Sequence, residues 1–330
     1  MRDVFCEARC VRWMETKRLS GRCSCVYLAV MKFVATEVEG QYRVLTPFRR
    51  PFHAGSMLRG VLGRSLRAAA CANRAGACAG DCEHPRSCAY TRLFDPLVPE
   101  PAPHRFLQGQ TRSPQPMIPL FPAPGHKDLQ AGDVFSVGLR VLGPLRDGEL
   151  DTIFATLEGM SQFDFGDEGG RVAFAGASLR GRRESPIEVG DVPLHVERVI
   201  VEFETPVWME HGNRLVERVE FRKFFRDMYR RLTVLSALYG ELEARDNEEF
   251  SRLDALAAGI AVMEQNVRTL QWKRHSLARE REHRLQGIVG RVEFAGAGLE
   301  AFVPILRLAE RTHLGKATSH GLGRMRVEVR

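Results

Sequence analysis

The chain has 330 residues, 44% of them hydrophobic and 27% charged, a balance that suits a globular protein with room for two cores. No apolar run approaches the roughly 18–20 residues of a membrane span, and the best N-terminal stretch, Val26 to Val30, is too short for a secretory signal, so a cytoplasmic protein without disulfides is expected. With 48 Lys and Arg against 41 Asp and Glu the formal net charge is +7, which fits a polyanionic partner and is also common among soluble proteins at large.

Residues 1–30 carry Cys6, Cys10, Cys23 and Cys25 among arginines, with neither helical nor strand periodicity; they read as an N-terminal extension, disordered or an artefact of an upstream start. From Lys32 the pattern is that of a strand (Phe33, Val34, Val38, Tyr42, Val44), followed by a turn through Pro47 and Pro51. A helix then runs from Ser56 to Ala70, with Met57, Leu58, Val61, Leu62 and Leu66 on one face. A cysteine-bearing loop and a proline-rich stretch, Pro96 to Pro124, hide one strand near Met117 to Phe121. Val134 to Leu142 alternates as a strand, Leu150 to Met160 is helical, Arg171 to Leu179 alternates again, and Gly181 to Pro193 reads as a linker.

The second half repeats the order. Arg198 to Phe203 is a strand, Val219 to Tyr239 a long helix, Val267 to Lys273 and Gly287 to Phe294 strands, Leu299 to Ala309 a helix and Arg324 to Val329 the last strand, with Asn247 to Met263 a mostly helical insertion. Strand, helix, strand, strand, helix, strand, twice over, predicts an α+β chain of two tandem ferredoxin-like (RRM-like) domains with antiparallel sheets, over 31–195 and 196–330.

The most informative stretch is His313-Leu314-Gly315-Lys316-Ala317-Thr318-Ser319-His320-Gly321-Leu322-Gly323-Arg324, between the last helix and the last strand. Its glycines allow tight turns and close approach to a phosphate, and Lys316, Thr318, Ser319 and Arg324 supply donors; a flexible connector is the plainer reading. It is not a nucleotide-binding P-loop, because Glu310 stands where that pattern needs glycine and Ala317 where it needs Ser or Thr. This loop resembles the glycine-rich signature of the CRISPR-associated RAMP superfamily, and of its repeat-cleaving endoribonucleases in particular. Residues Phe52 to Leu66 (FHAGSMLRGVLGRSL), Cys71 to Phe94, Gly132 to Gly143, Thr205-Pro206, Phe221 to Leu235 and Trp272 to Phe294 are similar to successive blocks of that family. The likeness covers roughly residues 31–330.

The resemblance implies a metal-independent cut within each repeat of a CRISPR transcript, leaving a 2′,3′-cyclic phosphate and a 5′-hydroxyl. Its partners would be a CRISPR repeat RNA hairpin and other effector subunits. The superfamily also contains non-cleaving subunits that hold guide RNA, so the fold does not by itself establish catalysis. Attack by a ribose 2′-hydroxyl needs a base, an acid and positive charge at the phosphorane. His53, just before the first helix, stands where related nucleases place a catalytic histidine; otherwise it is a helix-end or surface residue. His320 lies inside the loop, where the family does not require a histidine, and His313 reads as structural. Tyr42 is a candidate hydrogen-bond donor, although strand tyrosines usually serve packing.

Gly315, Lys316, Thr318, Ser319, Gly321, Gly323 and Arg324 are the candidate RNA contacts. Arg59 and Arg67, eight apart on one face of the first helix among Arg49, Arg50 and Arg64, could clamp an RNA stem or simply be solvated. A second basic group, Arg222, Lys223, Arg226, Arg230 and Arg231, lies on the long helix, and a third, Lys273, Arg274, His275, Arg279 and Arg281, follows the next strand. Cys71, Cys78, Cys82 and Cys88, with His84 as a substitute, are ligands of a structural zinc, scattered free thiols, or a disulfide or other cluster, since their spacing is not that of paired zinc-finger cysteines. No cofactor is expected for catalysis, there being no paired carboxylates at a spacing that would hold a catalytic magnesium.

Overall fold

The computed structural model describes residues 34–71, 82, 88–120, 125, 127–166, 169–183, 195–240, 247–276 and 281–330, and Met31–Arg330 forms one compact unit. The expected extension at residues 1–30 and most of the expected linker lie outside the described residues. The first half runs β1 (Ala35–Val44), α1 (Gly55–Ala70), β2 (Met117–Leu120), β3 (Val134–Leu142), α2 (Glu149–Gly159) and β4 (Val172–Arg183). The second runs β5 (Val199–Val207), α3 (Phe221–Tyr239), β6 (Ala261–Ser276), β7 (Arg281–Ala295), α4 (Val303–Thr312) and β8 (Met325–Val329). The sheet orders are β2-β3-β1-β4 and β6-β7-β5-β8, antiparallel at every pairing, which is the ferredoxin-like arrangement in both halves.

Strand alternation sets the faces. In β1, Val38, Tyr42 and Val44 point inward while Gln41 and Arg43 point out, and Leu58, Val61, Leu62 and Leu66 of α1 with Ile153 and Leu157 of α2 cover the inner face. In the second half, Phe221, Phe224 and Phe225 of α3 meet Phe203, Phe294 and Phe302, with Phe221 edge-on to both Phe294 and Phe302 at 4.9 Å between centroids. The opposite face of that sheet carries charged pairs, with Arg326 paired to Glu202 and Arg324 to Glu204. The halves are joined by Arg140 of β3, which donates to Glu37 (2.8 Å) and to the Arg311 carbonyl (2.6 Å), and by the Tyr239 hydroxyl, which donates to the Pro114 carbonyl.

Several expected boundaries shift. The strand expected over 267–273 is sixteen residues long and begins at Ala261, so the helical insertion is only Asn247–Ala257. The helix expected from Leu299 opens as a 3-10 turn, Leu299–Phe302, before α4, whose first turn takes Pro304 without losing a hydrogen bond. Gly181, expected in the linker, extends β4. No helix among the described residues is long and apolar enough to cross a membrane.

Candidate functional site

His53 sits two residues before the helical start of α1 and is 4% exposed, and Nε2 lies 2.8 Å from the carbonyl oxygen of His320 in the glycine-rich loop. A carbonyl can only accept, so Nε2 carries the proton and the lone pair of the neutral ring is on Nδ1. Burial pushes its pKa down to about 4, which keeps the ring neutral near pH 7. This approach depends on Gly55. A Cβ there would fall 1.8 Å from the His320 oxygen and 2.5 Å from His53 Nε2, so only glycine lets the helix start press against the loop. Trp272, near the end of β6, packs against His53 at 5.1 Å between centroids, and its Nε1 finds no acceptor among the described residues.

Much of the loop serves internal packing. Gly315 and Gly323 have φ of +85° and +81°, and a Cβ at Gly323 would come within 1.9 Å of the Leu314 oxygen, because Leu314 N donates to Gly323 O across the neck of the loop. Thr205 clamps the same turn, its hydroxyl donating to Gly321 O (3.0 Å) and accepting from Arg324 N (2.8 Å). Half-buried Arg231 donates to His313 O (2.6 Å), Thr312 O (2.9 Å) and Thr318 Oγ1 (3.1 Å), and desolvation of its guanidinium pulls its pKa down to about 10. Thr318, Gly321 and Gly323, expected to face a phosphate, are therefore buried, and so is the His320 side chain. Lys316 and Ser319 remain accessible; Lys316 is held by Glu210 over the Trp208 ring, and Arg324 is paired to Glu204 at 2.7 Å.

Tyr42 is not at this site. It is fully buried in the first core beside Phe135, Phe165 and Phe174, and its hydroxyl donates to Leu157 O at 2.6 Å, so it serves packing rather than hydrogen bonding to a substrate. Arg59 turns toward the loop, with Nη1 at 2.7 Å from Gln115 Oε1 and 3.4 Å from Ser319 O and its guanidinium over Phe94. Arg67, two turns on, lies near the far end of α1 and is half-buried. The basic group on α3 is largely consumed within the fold: Arg222 and Arg226 both grip Asp254, Lys223 pairs with Glu220 and Arg231 is internal, which leaves Arg230 exposed. The third basic group is outside the described side chains.

Cys71 is buried against the end of α1 and Cys82 and Cys88 are half-buried; Cys78 and His84 lie outside the described residues, and with them the four-thiolate set. Among the described residues no group of three or more His, Cys, Asp or Glu side chains is placed to hold a metal. Sequence reasoning missed Gly55, Trp208, Trp272 and the internal role of Arg231. Only Arg231 left a signal, falling between Met228 and Leu235 at the three- and four-residue spacing of the buried stripe of α3.

A second buried histidine backs the loop. His313, at φ +55°, donates Nδ1–H to Leu322 O (3.0 Å), and burial, with nearby Arg140, pulls its pKa down to about 3. Both histidines titrate near 6.5 when unfolded but only near 4 and 3 when folded, so between those values the unfolded chain binds more protons. Stability is therefore full above about pH 6.5 and falls as pH drops through this window, by an amount on the order of 3 kcal/mol for His53 once pH reaches 4. The urea midpoint is expected to fall between pH 7 and pH 5; an unchanged midpoint would contradict two buried neutral rings.

Two family models match consecutive parts of the chain: one described as an N-terminal domain matches residues 33–190, and one described as CRISPR-associated endoribonuclease Cas6 matches residues 201–325. No curated protein matches it. Among solved structures, Thermus thermophilus Cas6 is 14% identical with a TM-score of 0.53, covering 90% of this chain and 99% of that one. A Cas6 product complex is 15% identical with a TM-score of 0.52, covering 89% and 99%. A partial Cas6-RT-Cas1–Cas2 complex is 10% identical with a TM-score of 0.58, covering 91% of this chain and 46% of that one. At these identities the likeness speaks for the fold.

Proposed function

We propose that this chain, whose residues 201–325 match the family model described as CRISPR-associated endoribonuclease Cas6, is a Cas6-type RAMP protein that cleaves CRISPR repeat RNA without a metal ion, by attack of a ribose 2′-hydroxyl, to give guide RNAs ending in a 2′,3′-cyclic phosphate. The observation that carries this reading is the seating of His53 Nε2 on the backbone of the glycine-rich loop, 2.8 Å from His320 O. A neutral ring whose Nδ1 bears the lone pair is a competent acceptor for the 2′-hydroxyl proton, while a group with a pKa near 4 is a poor proton donor at pH 7. In this reading His53 is the base, and Arg59, whose Nη1 lies 3.4 Å from Ser319 O, balances charge on the phosphorane. Trp272 covers His53 and its unpartnered Nε1–H is a donor for a phosphate oxygen once RNA enters.

The same burial supports a second reading, a non-cleaving subunit that holds guide RNA, because a 4% exposed ring reaches no substrate unless its cover shifts. Labelled repeat RNA incubated with the full chain in excess chelator separates the two. The nuclease is expected to cut and leave a 5′-hydroxyl and a cyclic phosphate; cutting that stops in chelator would refute the metal-independent route, and binding with no cut under any condition would favour the guide-holding subunit.

A further inference from the structure

Beside the glycine-rich loop a cleft of ≈ 290 Å³, lined by Leu314, Gly315 and Lys316 among others, opens between the halves. Two walls are aromatic rings each paired with a cation: Phe106, from the loop before β2, lies under the Arg230 guanidinium at 5.1 Å, and Trp208, just after β5, lies under Lys316 at 5.8 Å. The floor holds two carboxylates. Glu210 accepts from Trp208 Nε1 (2.6 Å) and from Lys316, so both of its oxygens are engaged. Asp227 accepts from His211 Nε2 through Oδ2 (3.1 Å), and its Oδ1 makes no hydrogen bond among the described residues. Burial raises the Asp227 pKa, the mark of a carboxylate short of donors.

Paired aromatic faces with cations above them suit an unstacked nucleobase and its phosphate. A carboxylate can only accept, so it selects the base edge that offers two adjacent donors, the N1–H and N2 amino group of guanine; adenine and cytosine offer one amino group beside an acceptor. We propose that this cleft binds one unpaired guanine of the RNA, stacked between Phe106 and Trp208 and read by Asp227, with Arg230 and Lys316 on the flanking phosphates. The proposal rests on the reading of the chain as a repeat-RNA-binding protein and adds to it a position where sequence is recognised. His211, bonded to Oδ2, fixes the Asp227 carboxylate for its ligand.

The test replaces each guanine of the repeat RNA, one at a time, by inosine, which lacks only the N2 amino group, and measures affinity for the wild type and for Asp227→Asn. One unpaired position is expected to weaken wild-type binding about tenfold when it becomes inosine, the loss of one charge-assisted hydrogen bond. Against Asp227→Asn the same replacement is expected to cost little. Wild-type binding that stays tight at every position overturns the proposal and leaves the repeat-binding reading standing, and so does Asp227→Asn discriminating as sharply as the wild type. Failure of the wild type to bind the repeat at all overturns both. The inosine series acts on the RNA alone, so a variant that folds poorly does not blunt it.

Discussion

Replacing His53 with alanine is expected to lower the single-turnover cleavage rate by about 100- to 10,000-fold while leaving repeat-RNA affinity within a few fold. The expected split follows from where the ring sits. It is buried, contributes one hydrogen bond to the His320 carbonyl, and its pKa near 4 keeps it in the basic form throughout the neutral range. The phosphates would be gripped by other groups, Arg59 and Lys316 at the loop and Arg230 at the cleft beside it, so binding does not run through the imidazole. A residual rate close to the wild type's would remove His53 from the reaction. A parallel loss of binding would mean that the ring organises the loop.

Gly323→Ala is expected to destabilise the fold by about 3 kcal/mol or more, read as a fall in the urea midpoint, and to abolish activity with it. Two costs coincide at this position. The backbone is left-handed at φ +81°, which disfavours any side chain, and the added Cβ would lie 1.9 Å from the Leu314 oxygen and 2.8 Å from Leu314 N. Neither neighbour can yield, because Leu314 N is bonded to Gly323 O and Gly323 N to Pro206 O, so the clash is with the neck of the loop itself. Gly60 gives the contrasting case: it is helical and exposed, and a Cβ there meets nothing within 4 Å, so Gly60→Ala is expected to stabilise by roughly 0.5–1 kcal/mol. Similar effects at both positions would refute the argument from loop packing.

The element order could be read because each half carries strong periodicity. Val38, Tyr42 and Val44 alternate at period two, and Leu58, Val61, Leu62 and Leu66 follow the helical period, and both patterns record which face meets a core. Their repetition in the second half exposed the tandem arrangement. Boundaries moved where periodicity is silent: in β6, at the sheet edge, Ala261, Val262 and Met263 are followed by Glu264, Gln265 and Asn266, an apolar block and then a polar one without the alternation that marks a strand.

The site was only partly legible. Position along the chain marked His53 and the loop as candidates, but what brings them together is Gly55, and its contact is a backbone oxygen 265 residues away that leaves no local pattern. The glycines of the loop were read as room for a phosphate, whereas Gly315 and Gly323 make room for Trp208 and Leu314; composition cannot tell a backbone that approaches a ligand from one that approaches its own chain. Charge counting misled in the same way on α3, since Asp254, outside that helix, neutralises Arg222 and Arg226, and Arg231 faces inward. Tyr42 drew attention as a hydrogen-bond donor on the first strand, close in sequence to His53, yet its hydroxyl is satisfied by Leu157 O inside the core.

The most direct test of the account is a pair of repeat RNAs, one all-ribose and one carrying a single 2′-deoxy sugar at the position where the first is cut, each incubated with the full chain in chelator. The account predicts that the all-ribose RNA is cleaved, and that the deoxy RNA binds as tightly and stays intact, because its nucleophile is gone. Cleavage of both at the same bond would contradict 2′-hydroxyl attack and the role given to His53.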